Sequence, residues 1–479
     1  MEDQVNQLYQ YIERYQDEYI DLSDRIWALA ETRFEEHQSA ELIITYLTQQ
    51  GFEVEKKVAG MDTAFVAKYN NGGSVISFLG EYDALSGLSQ HAGCAVHNPV
   101  EVNGNGHGCG HNMLGVAALA AALSVKDYLQ RHNLPGTVVF FGCPAEEGGS
   151  GKTFMVRDGV FDGVDAAITW HPNTFSGMFD TPTLANIQAE FSFKGKASHA
   201  AASPHMGRSA LDAVELMNVG ANYLREHVPQ ESRLHYAITN SGGLAPNVVQ
   251  AEASVLYLVR SPNLIDLQDI YQRVTDIAAG AALMTETKMS VQFIKACSNY
   301  LPNRCLERVM DKYIQALGMP EYTEDEMVFM KEIRQSFTQA DIEADIKRIS
   351  EHASHEPAFT FQYLKESPTV KAPLVYQANN KTLYGSTDVG DVSWVVPTVQ
   401  CFAPCYAVGT SLHSWQAVSQ GKTSVAHKGL LLAAKIMAGT GLELFLNPEL
   451  LAEAKVELQE SNDLMPYLCP IPVHITPQS

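Results

Sequence analysis

Two short segments concentrate side chains that can bind metal ions or move protons. The first reads Gly-Asn-Gly-His-Gly-Cys-Gly-His over residues 104–111, and glycine at this density lets the backbone pass close to a ligand. Its Cys109 and His111 stand two residues apart at the predicted start of a helix, where the thiolate is favoured and both could face one cation. Alone, the pair fits a tight turn equally well.

The second segment follows a predicted strand and contains two adjacent carboxylates, Glu146 and Glu147. In a metal site such a pair can divide the work, with one carboxylate coordinating an ion and the other acting on a water as general base. The alternative is an acidic first helical turn stabilised by the helix dipole.

Two further histidines complete a set of candidate ligands. His171 ends a predicted strand, and His413 lies in a loop near the C-terminus. A lone histidine in such a place is more often structural than a ligand, but several candidates after different strands are harder to dismiss. The five candidates are Cys109, His111, Glu147, His171 and His413. Five ligands are too many for one catalytic zinc with an open position, whereas they suit two ions that share a bridging group.

The elements that must position these residues alternate between buried strands and helices. Ser74–Gly80 and Thr137–Phe141 have the short apolar runs of buried strands, and Asn112–Arg131 has the Ala and Leu richness of a buried helix. This alternation predicts an α/β domain with a mostly parallel sheet. The polar segments follow the strands, where open α/β sheets place their ligands.

After Pro182 the pattern changes to that of a smaller, inserted unit. Its predicted elements are a strand at Asn186–Lys194, a helix at Arg208–Glu226, strands at Leu234–Thr239 and Val248–Val259, a helix at Leu264–Ala282 and a strand at Lys288–Ile294. The order β-α-β-β-α-β predicts an α+β ferredoxin-like domain. We therefore predict a discontinuous catalytic domain of residues 1–186 and 297–479, interrupted by residues 187–296. The charged stretch Glu321–Glu366 is predicted to be either added helices or a mobile excursion.

Size and charge narrow the class of protein. The chain has 479 residues, 46% of them hydrophobic, which is too long for one core and predicts at least two domains. Its formal charge of −22 disfavours nucleic acid and anionic membranes as partners. The longest apolar run, Val116–Val125, is too short to span a bilayer. An acidic N-terminus unlike a signal peptide and eight sparse cysteines predict a cytoplasmic protein with reduced thiols.

Two tempting motifs fail on their spacing. Gly149–Thr153 resembles a phosphate-binding loop, but the position where such a loop needs its first glycine is Glu146. Cys401 and Cys405 are spaced too widely for a C-x-x-C motif, and we interpret both as thiols of the core.

Several long strings identify the broader family. GEYDALSGLSQHAGC, NGHGCGHNMLG, EEGGSGKTFMVR and STDVGDVSW resemble the aminoacylase/carboxypeptidase-type metallopeptidases, in the branch that includes auxin-conjugate hydrolases and uses a bridging cysteine. The resemblance extends over nearly the whole chain. It implies two divalent ions in each protomer, bridged by Cys109 and completed by the other four candidate ligands. Thiolate favours zinc, whereas carboxylate and imidazole also suit manganese, so the metal stays open between the two.

The resemblance also implies roles for residues outside the ligand set. Glu146 would be the general acid and base, and Asp83 would orient a metal-binding histidine. His199, in the inserted domain, would stabilise the oxyanion and would come from across a dimer interface, so residues 187–296 are expected to form a lid and dimerisation domain (the lid). Asn247 would help to hold a substrate carboxylate or the oxyanion.

Two arginines are candidates for binding substrate carboxylates, because a guanidinium matches a carboxylate in geometry. They are Arg208 and Arg260, and either could instead pair with Asp212 or Glu252. The sequence departs from the family pattern at Ser86-Gly87, where proline is usual after Leu85. It departs again at Thr387, where many relatives carry glutamate, which removes a charge near the expected pocket.

The function implied by the resemblance is hydrolysis of the amide of an N-acyl or N-aroyl glutamate, with p-aminobenzoyl-glutamate as the expected substrate. The chain would be one of two homologous kinds of subunit, so the expected partner is the other kind in a heterodimer, or a second copy of this chain in a homodimer through the lid. One alternative is an aminoacylase or dipeptidase acting on other N-acyl amino acids. Another is a non-catalytic subunit that lends its lid to a neighbour, although such a scaffold would not require Glu146.

Overall fold

The computed structural model describes residues 2–353, 357–378 and 381–477. The strands are β1 (Glu53–Lys56), β2 (Phe65–Asn70), β3 (Val75–Glu81), β4 (Thr137–Cys143), β5 (Ala166–Asn173), β6 (Gly177–Met178), β7 (Ala185–Lys194), β8 (Arg233–Asn240), β9 (Glu252–Ser261), β10 (Lys288–Cys297) and β11 (Thr398–Pro404). The helices are α1 (Glu2–Arg14), α2 (Gln16–Leu29), α3 (His37–Gln49), α4 (His111–Arg131), α5 (Gly151–Arg157), α6 (Ala210–Leu224), α7 (Leu264–Thr285), α8 (Arg304–Leu317), α9 (Glu324–Arg334), α10 (Gln339–His352), α11 (Val389–Val395), α12 (Trp415–Gln420), α13 (Ser424–Leu446) and α14 (Pro448–Leu464).

The larger sheet has seven strands in the order β1-β2-β4-β3-β5-β11-β6. Its four central strands, β4, β3, β5 and β11, are parallel, while the outer strands β1, β2 and β6 pair antiparallel. This arrangement confirms the predicted α/β class and adds antiparallel edges to the parallel centre. Because the central strands are parallel, their carboxyl ends meet at one edge, and the loops that follow them can form a common site.

Two long apolar helices cover one face of this sheet. The Ala- and Leu-rich α4 is buried over most of its length and packs against α13 and against strand β3. By length and composition α13 could cross a membrane, but most of it is buried inside the fold. Both helices therefore belong to the core of the sheet domain.

The four remaining strands form a separate antiparallel sheet in the order β10-β7-β9-β8. Helices α6 and α7 pack against each other and against strands β7 and β9. With the chain order β7-α6-β8-β9-α7-β10, this is the ferredoxin-like arrangement that the sequence predicts. Strand β9 begins at Glu252 rather than near Val248, because Val248 forms an isolated bridge with His199 instead of pairing within the sheet. The exact limits of the lid, 187 and 296, remain a prediction.

The charged stretch near residues 321–366 is helical in its described part. Both α9 and α10 begin with a capping box, built on Thr323 and Thr338 respectively. A 3-10 segment follows at Ala358–Lys365, and residues 354–356 lie outside the described part. Of the two alternatives for this stretch, the structure therefore favours added helices.

Candidate active site

The loops after the central strands bring the predicted metal-binding residues to one place. His111 is the first residue of α4, directly after Gly110, whose φ of +77° suits glycine. Glu147 lies in the loop between β4 and α5, and His413 lies in the loop after β11. His171 lies inside β5 rather than at its end, because that strand continues to Asn173.

Cys109 is common to two groups of potential ligands. Its Sγ lies 3.3 Å from Nε2 of His171. The ligand atoms of Cys109, His111 and His171 all lie within 4.8 Å of one another, and so do those of Cys109, Glu147 and His413. Two cation-binding groups that share one thiolate are the arrangement expected for a bridged pair of ions.

Buried polar atoms without hydrogen bonds support this interpretation. Nδ1 of His111 lies 2.8 Å from Oδ1 of Asp83, which leaves Nε2 as its free ligand atom. This Nε2 and Oε1 of Glu147 are both buried and make no hydrogen bond of good geometry, although they lie 3.2 Å from Oε2 of Glu81 and 3.3 Å from Nε2 of His413 respectively. Buried polar atoms without a hydrogen bond are costly, and a cation would satisfy them. Oδ2 of Asp83 accepts from the backbone N–H of Glu147 at 2.9 Å, so one carboxylate orients residues of both groups. The residues present fit two divalent cations.

The protonation states also suit cation binding. Burial and Glu147 act to raise the pKa of Cys109, but the imidazoles of His171 and His111 outweigh them and lower it to about 6. Burial likewise acts to raise the pKa of Glu147, yet His413 and His111 lower it to about 2. Both groups therefore favour the anionic form that metal ligands need. Against the effect of burial, the neighbouring anions raise the pKa values of His111, His171 and His413, so these imidazoles would release protons on binding a cation.

The pKa of Glu146 shifts in the opposite direction to that of Glu147. Its Oε2 lies 3.9 Å from Nε2 of His111, next to the ligand groups. Burial, followed by the charges of Glu81 and Glu147, raises the pKa of Glu146 well above its usual value. Two adjacent carboxylates whose pKa values move apart in this way are suited to different roles, one as ligand and one as proton carrier.

A cavity of about 370 Å³ opens beside these residues. Its wall includes the cationic side chains of Arg260, Lys295 and Arg348. Nη1 of Arg260 donates to Oγ of Ser386 at 3.0 Å, and Nζ of Lys295 donates to the carbonyl oxygen of Glu147 at 2.8 Å. Within the described ranges neither Arg260 nor Lys295 has a carboxylate partner, which leaves both available to an anionic ligand.

Comparison of the whole sequence with known proteins decides the family. The profile of peptidase family M20/M25/M40 matches residues 78–287. A p-aminobenzoyl-glutamate hydrolase subunit of Escherichia coli is 54% identical over 466 residues, which cover 97% of each chain. The chain belongs to peptidase family M20/M25/M40. It is a metal-dependent hydrolase of amide bonds. A more distant relative, the Xaa-Arg dipeptidase of Mus musculus, is 28% identical and covers 92% of this chain and 89% of its own.

Two solved structures share the fold. An aminobenzoyl-glutamate utilization protein from Klebsiella pneumoniae has a TM-score of 0.56 at 17% identity, covering 88% of this chain and 98% of its own. A dinuclear metal-binding M20 peptidase from Bacillus subtilis has a TM-score of 0.55 at 15% identity, covering 91% and 99%. At these identities the likeness concerns the architecture of sheet domain and lid alone.

Three predicted site residues of this M20 chain lie away from the cavity. His199 is exposed on the lid, where its Nδ1 accepts from the backbone N–H groups of Ala201 and Ala202. Asn247 is also exposed and lies beside it, since its carbonyl oxygen accepts from the N–H of Ala200 at 2.9 Å. The structure therefore does not bring His199 or Asn247 to the cavity of the same chain.

The third, Arg208, is engaged on the surface of the lid. Its Nε lies 2.8 Å from Oε2 of Glu286, so it pairs with neither Asp212 nor Glu252. Of the two arginines proposed from the sequence to bind carboxylates, the structure places only Arg260 at the cavity.

The sequence did not predict a buried network of ion pairs that lies behind the site. Nζ of Lys152 is completely buried and lies 2.6 Å from Oε1 of Glu81 and 2.7 Å from Oδ1 of Asp388. Oε2 of Glu81 in turn lies 3.2 Å from Nε2 of His111. Lys152 stands in the Gly-Ser-Gly-Lys-Thr string, which resembles the family motif and to which the sequence assigned no ion pair. The network connects that string to the metal-binding histidine.

Proposed function

We propose that this chain hydrolyses p-aminobenzoyl-glutamate to p-aminobenzoate and glutamate. The substrate is taken from the name of the Escherichia coli relative, whose identity of 54% extends over 97% of both chains. The observation that carries the proposal is the cavity itself, in which an amide-hydrolysing centre adjoins cationic side chains without carboxylate partners. A dianionic amino acid supplies the missing negative charge.

The cofactor in this proposal is a pair of manganese or zinc ions. Cys109 would contact both, with His111 and His171 on one ion and Glu147 and His413 on the other. When bound, such ions supply Lewis acidity to the amide carbonyl and to the attacking water. The buried ligand atoms of His111 and Glu147 that make no hydrogen bond support the fit. The thiolate favours zinc, while the remaining ligands suit either metal.

Glu146 moves the proton in the proposed reaction. It accepts a proton from the attacking water and delivers it to the amide nitrogen as the carbon–nitrogen bond breaks. Protonation matters because the leaving group is the alkyl α-amine of glutamate, and expelling an unprotonated amine is costly. Burial of Glu146 favours the protonated carboxyl that the second half of this transfer requires.

The charge of the cavity bears on the choice between acidic and basic substrates. Arg260 and Lys295 would bind a carboxylate of the glutamate product. A substrate that ends in arginine, as the name of the mouse relative states for that protein, would place like charges together. An aminoacylase or dipeptidase acting on other N-acyl amino acids would share the catalytic residues and differ only in this wall.

We further propose that two homologous chains work together in the cytoplasm. A second p-aminobenzoyl-glutamate hydrolase subunit of Escherichia coli, different from the one above, is 28% identical and covers 50% of this chain and 57% of its own, which supports a homologous partner. A heterodimer or a homodimer would form through the lid, whose edge strand β8 pairs only with β9 among the described strands and exposes Tyr236 and Ile238. Unpaired, apolar edges of this kind favour association.

The experiment is to purify the chain alone and together with its homologous partner, load each with manganese or zinc, and follow p-aminobenzoate release. We expect release from p-aminobenzoyl-glutamate and none from p-aminobenzoyl-arginine. Absence of release in both preparations, with metal shown to be bound, would contradict the substrate assignment. Faster hydrolysis of simple N-acetyl amino acids would favour the aminoacylase alternative.

A further inference from the structure

Helix α10 forms part of the cavity wall. It carries Arg348 and, one turn later, His352 to the cavity, while Ile346 and Ile349 are buried in the core beneath it. Oδ2 of Asp345 accepts from the backbone N–H of Gly409 at 2.7 Å, which attaches the helix to the loop that carries His413. The helix is thus a fixed element of the site rather than surface decoration.

The guanidinium of Arg348 is held in one orientation. Its Nη2 donates to Oδ1 of Asp345 at 2.6 Å and to Oδ1 of Asn173 at 2.7 Å, and its Nε also donates to Asp345. Its Cζ lies 5.7 Å from the centre of the Phe175 ring. Nη1 makes no hydrogen bond to any described residue. A guanidinium fixed on one side with a free donor on the other is prepared to bind an oxygen ligand.

The position of Arg348 along the cavity indicates which part of the ligand it meets. Lys295 bonds to the backbone of Glu147 and is therefore close to the amide that is cleaved, near the α-carboxylate of the substrate. Arg348 also lines an adjoining cavity of about 440 Å³, whose wall includes Glu231, Glu351 and Lys381. A substrate side chain that extends from the cleaved amide toward this adjoining cavity would meet Arg348.

We propose that Arg348 is a specificity-determining residue that selects an acidic side chain in the amino-acid part of the substrate. The inference rests on the proposed function, since it concerns the same cavity. It assigns a role to helix α10, which the sequence analysis could not place. Arg260 and Lys295, which have no carboxylate partner among the described residues, remain for the α-carboxylate. Arg348, by contrast, is already paired with Asp345 and offers its free Nη1 to the second carboxylate.

The test compares p-aminobenzoyl-glutamate with p-aminobenzoyl-glutamine, which differ by one charge at nearly constant shape. We expect the wild-type protein to prefer the glutamate compound in kcat/KM by at least about tenfold. Arg348→Gln should remove most of that preference by lowering kcat/KM for the glutamate compound only, and Arg348→Lys should retain part of it. Lys347→Gln is the matched control, because Lys347 is exposed on the same helix and pairs with Glu351; it should keep the full preference.

Equal losses on both compounds in Arg348→Gln would show a structural role and overturn the proposal. Calorimetric binding of both compounds to the metal-loaded Glu146→Gln protein, with and without Arg348→Gln, gives a second measurement independent of turnover. There we expect the affinity ratio between the two compounds to fall at least about tenfold with Arg348→Gln. If the wild-type protein hydrolyses neither compound, the proposed function fails, and this affinity ratio still decides on Arg348.

Discussion

Asp83 serves both halves of the candidate metal centre. One of its oxygens bonds to His111 and the other accepts from the backbone of Glu147. In Asp83→Asn an amide NH₂ takes the place of the carboxylate oxygen that accepts from the backbone N–H of Glu147. Two donors then face each other, and His111 and Glu147 are no longer held in position for the two ions. We expect metal affinity to fall by about 10- to 100-fold, measured by competition with a chelator. Asp62→Asn, at an exposed pair with Lys57, should leave the affinity unchanged, and an unchanged affinity in Asp83→Asn would contradict the orienting role.

Lys152 is the cation on which two buried carboxylates depend. Removing one partner of a buried ion pair leaves an uncompensated charge, and this costs about 3–5 kcal/mol. We expect Lys152→Met to lose that much free energy of unfolding in urea, because Glu81 and Asp388 would remain.

The control for this prediction is Lys56→Met, which removes an exposed pair with Glu41 and should cost less than about 1 kcal/mol. Adding Asp388→Asn to Lys152→Met should restore part of the loss. A cost for Lys152→Met no larger than that of the surface control would refute this account of the network.

At the level of residues, sequence reasoning reached those that stand in dense local motifs. Cys109 with His111, and Glu146 with Glu147, could be found because two chemical groups lie within a few positions of each other. Lys152 and Asp388 are 236 positions apart, and Arg348 and Asn173 are 175 apart. The sequence around such a single side chain does not predict its role, because that role depends on a contact that only the folded chain makes.

The approach of helix α4 to strand β3 fixes where His111 stands. A Cβ added to Gly115 would lie 2.5 Å from the carbonyl oxygen of Glu81, which is backbone and cannot easily yield. We expect Gly115→Ala to push α4 away from the sheet, to lower the free energy of unfolding by about 1–3 kcal/mol and to weaken metal binding as His111 moves.

Gly280→Ala is the matched control for this prediction, because Gly280 lies in helix α7 with nothing within 4 Å of an added Cβ. It should be neutral or stabilise the protein by up to about 1 kcal/mol. If both substitutions change the free energy of unfolding equally, the close approach of α4 to strand β3 is not the reason that position 115 requires glycine.

Elements with a clear period were predicted well, and elements without one were not. The lid order followed from alternating apolar patterns, and α4 begins within one residue of its predicted start. Helices α9 and α10 expose charged side chains over most of their surfaces, so their apolar stripes are narrow and the sequence left two alternatives. Their capping boxes were the local signal that could have decided between them.

At the scale of the whole molecule, two features remain to be explained: the charge of the cavity compared with that of the whole chain, and the position of the lid residues. The chain carries −22 overall, yet its cavity wall presents Arg260, Lys295 and Arg348. Local charge therefore attracts an anionic substrate that the surface as a whole would repel. His199 and Asn247 lie on the exposed lid instead, as expected if they act on the site of a partner protomer.

Complementation tests whether His199 acts across an interface. If the chain forms homodimers, Glu146→Gln and His199→Ala are each expected to be nearly inactive. After the protomers exchange, an equal mixture should recover about a quarter of the wild-type activity, because half of the dimers are mixed and each has one complete site. Activity in the mixture no higher than that of the separate variants would contradict supply of His199 by the partner.

The most direct test of the central claim is the rate of p-aminobenzoate release by Glu146→Gln, with its metal content measured in the same sample. Glu146 is the proposed proton carrier and lies outside the ligand set, so the variant should bind the same two ions as the wild-type protein. We expect the kcat of the variant chain to fall by about 10²- to 10⁴-fold, both alone and beside an unaltered homologous partner whose own contribution is subtracted. Undiminished release from metal-loaded Glu146→Gln would contradict the claim and would assign this chain a supporting role beside the active site of another protomer.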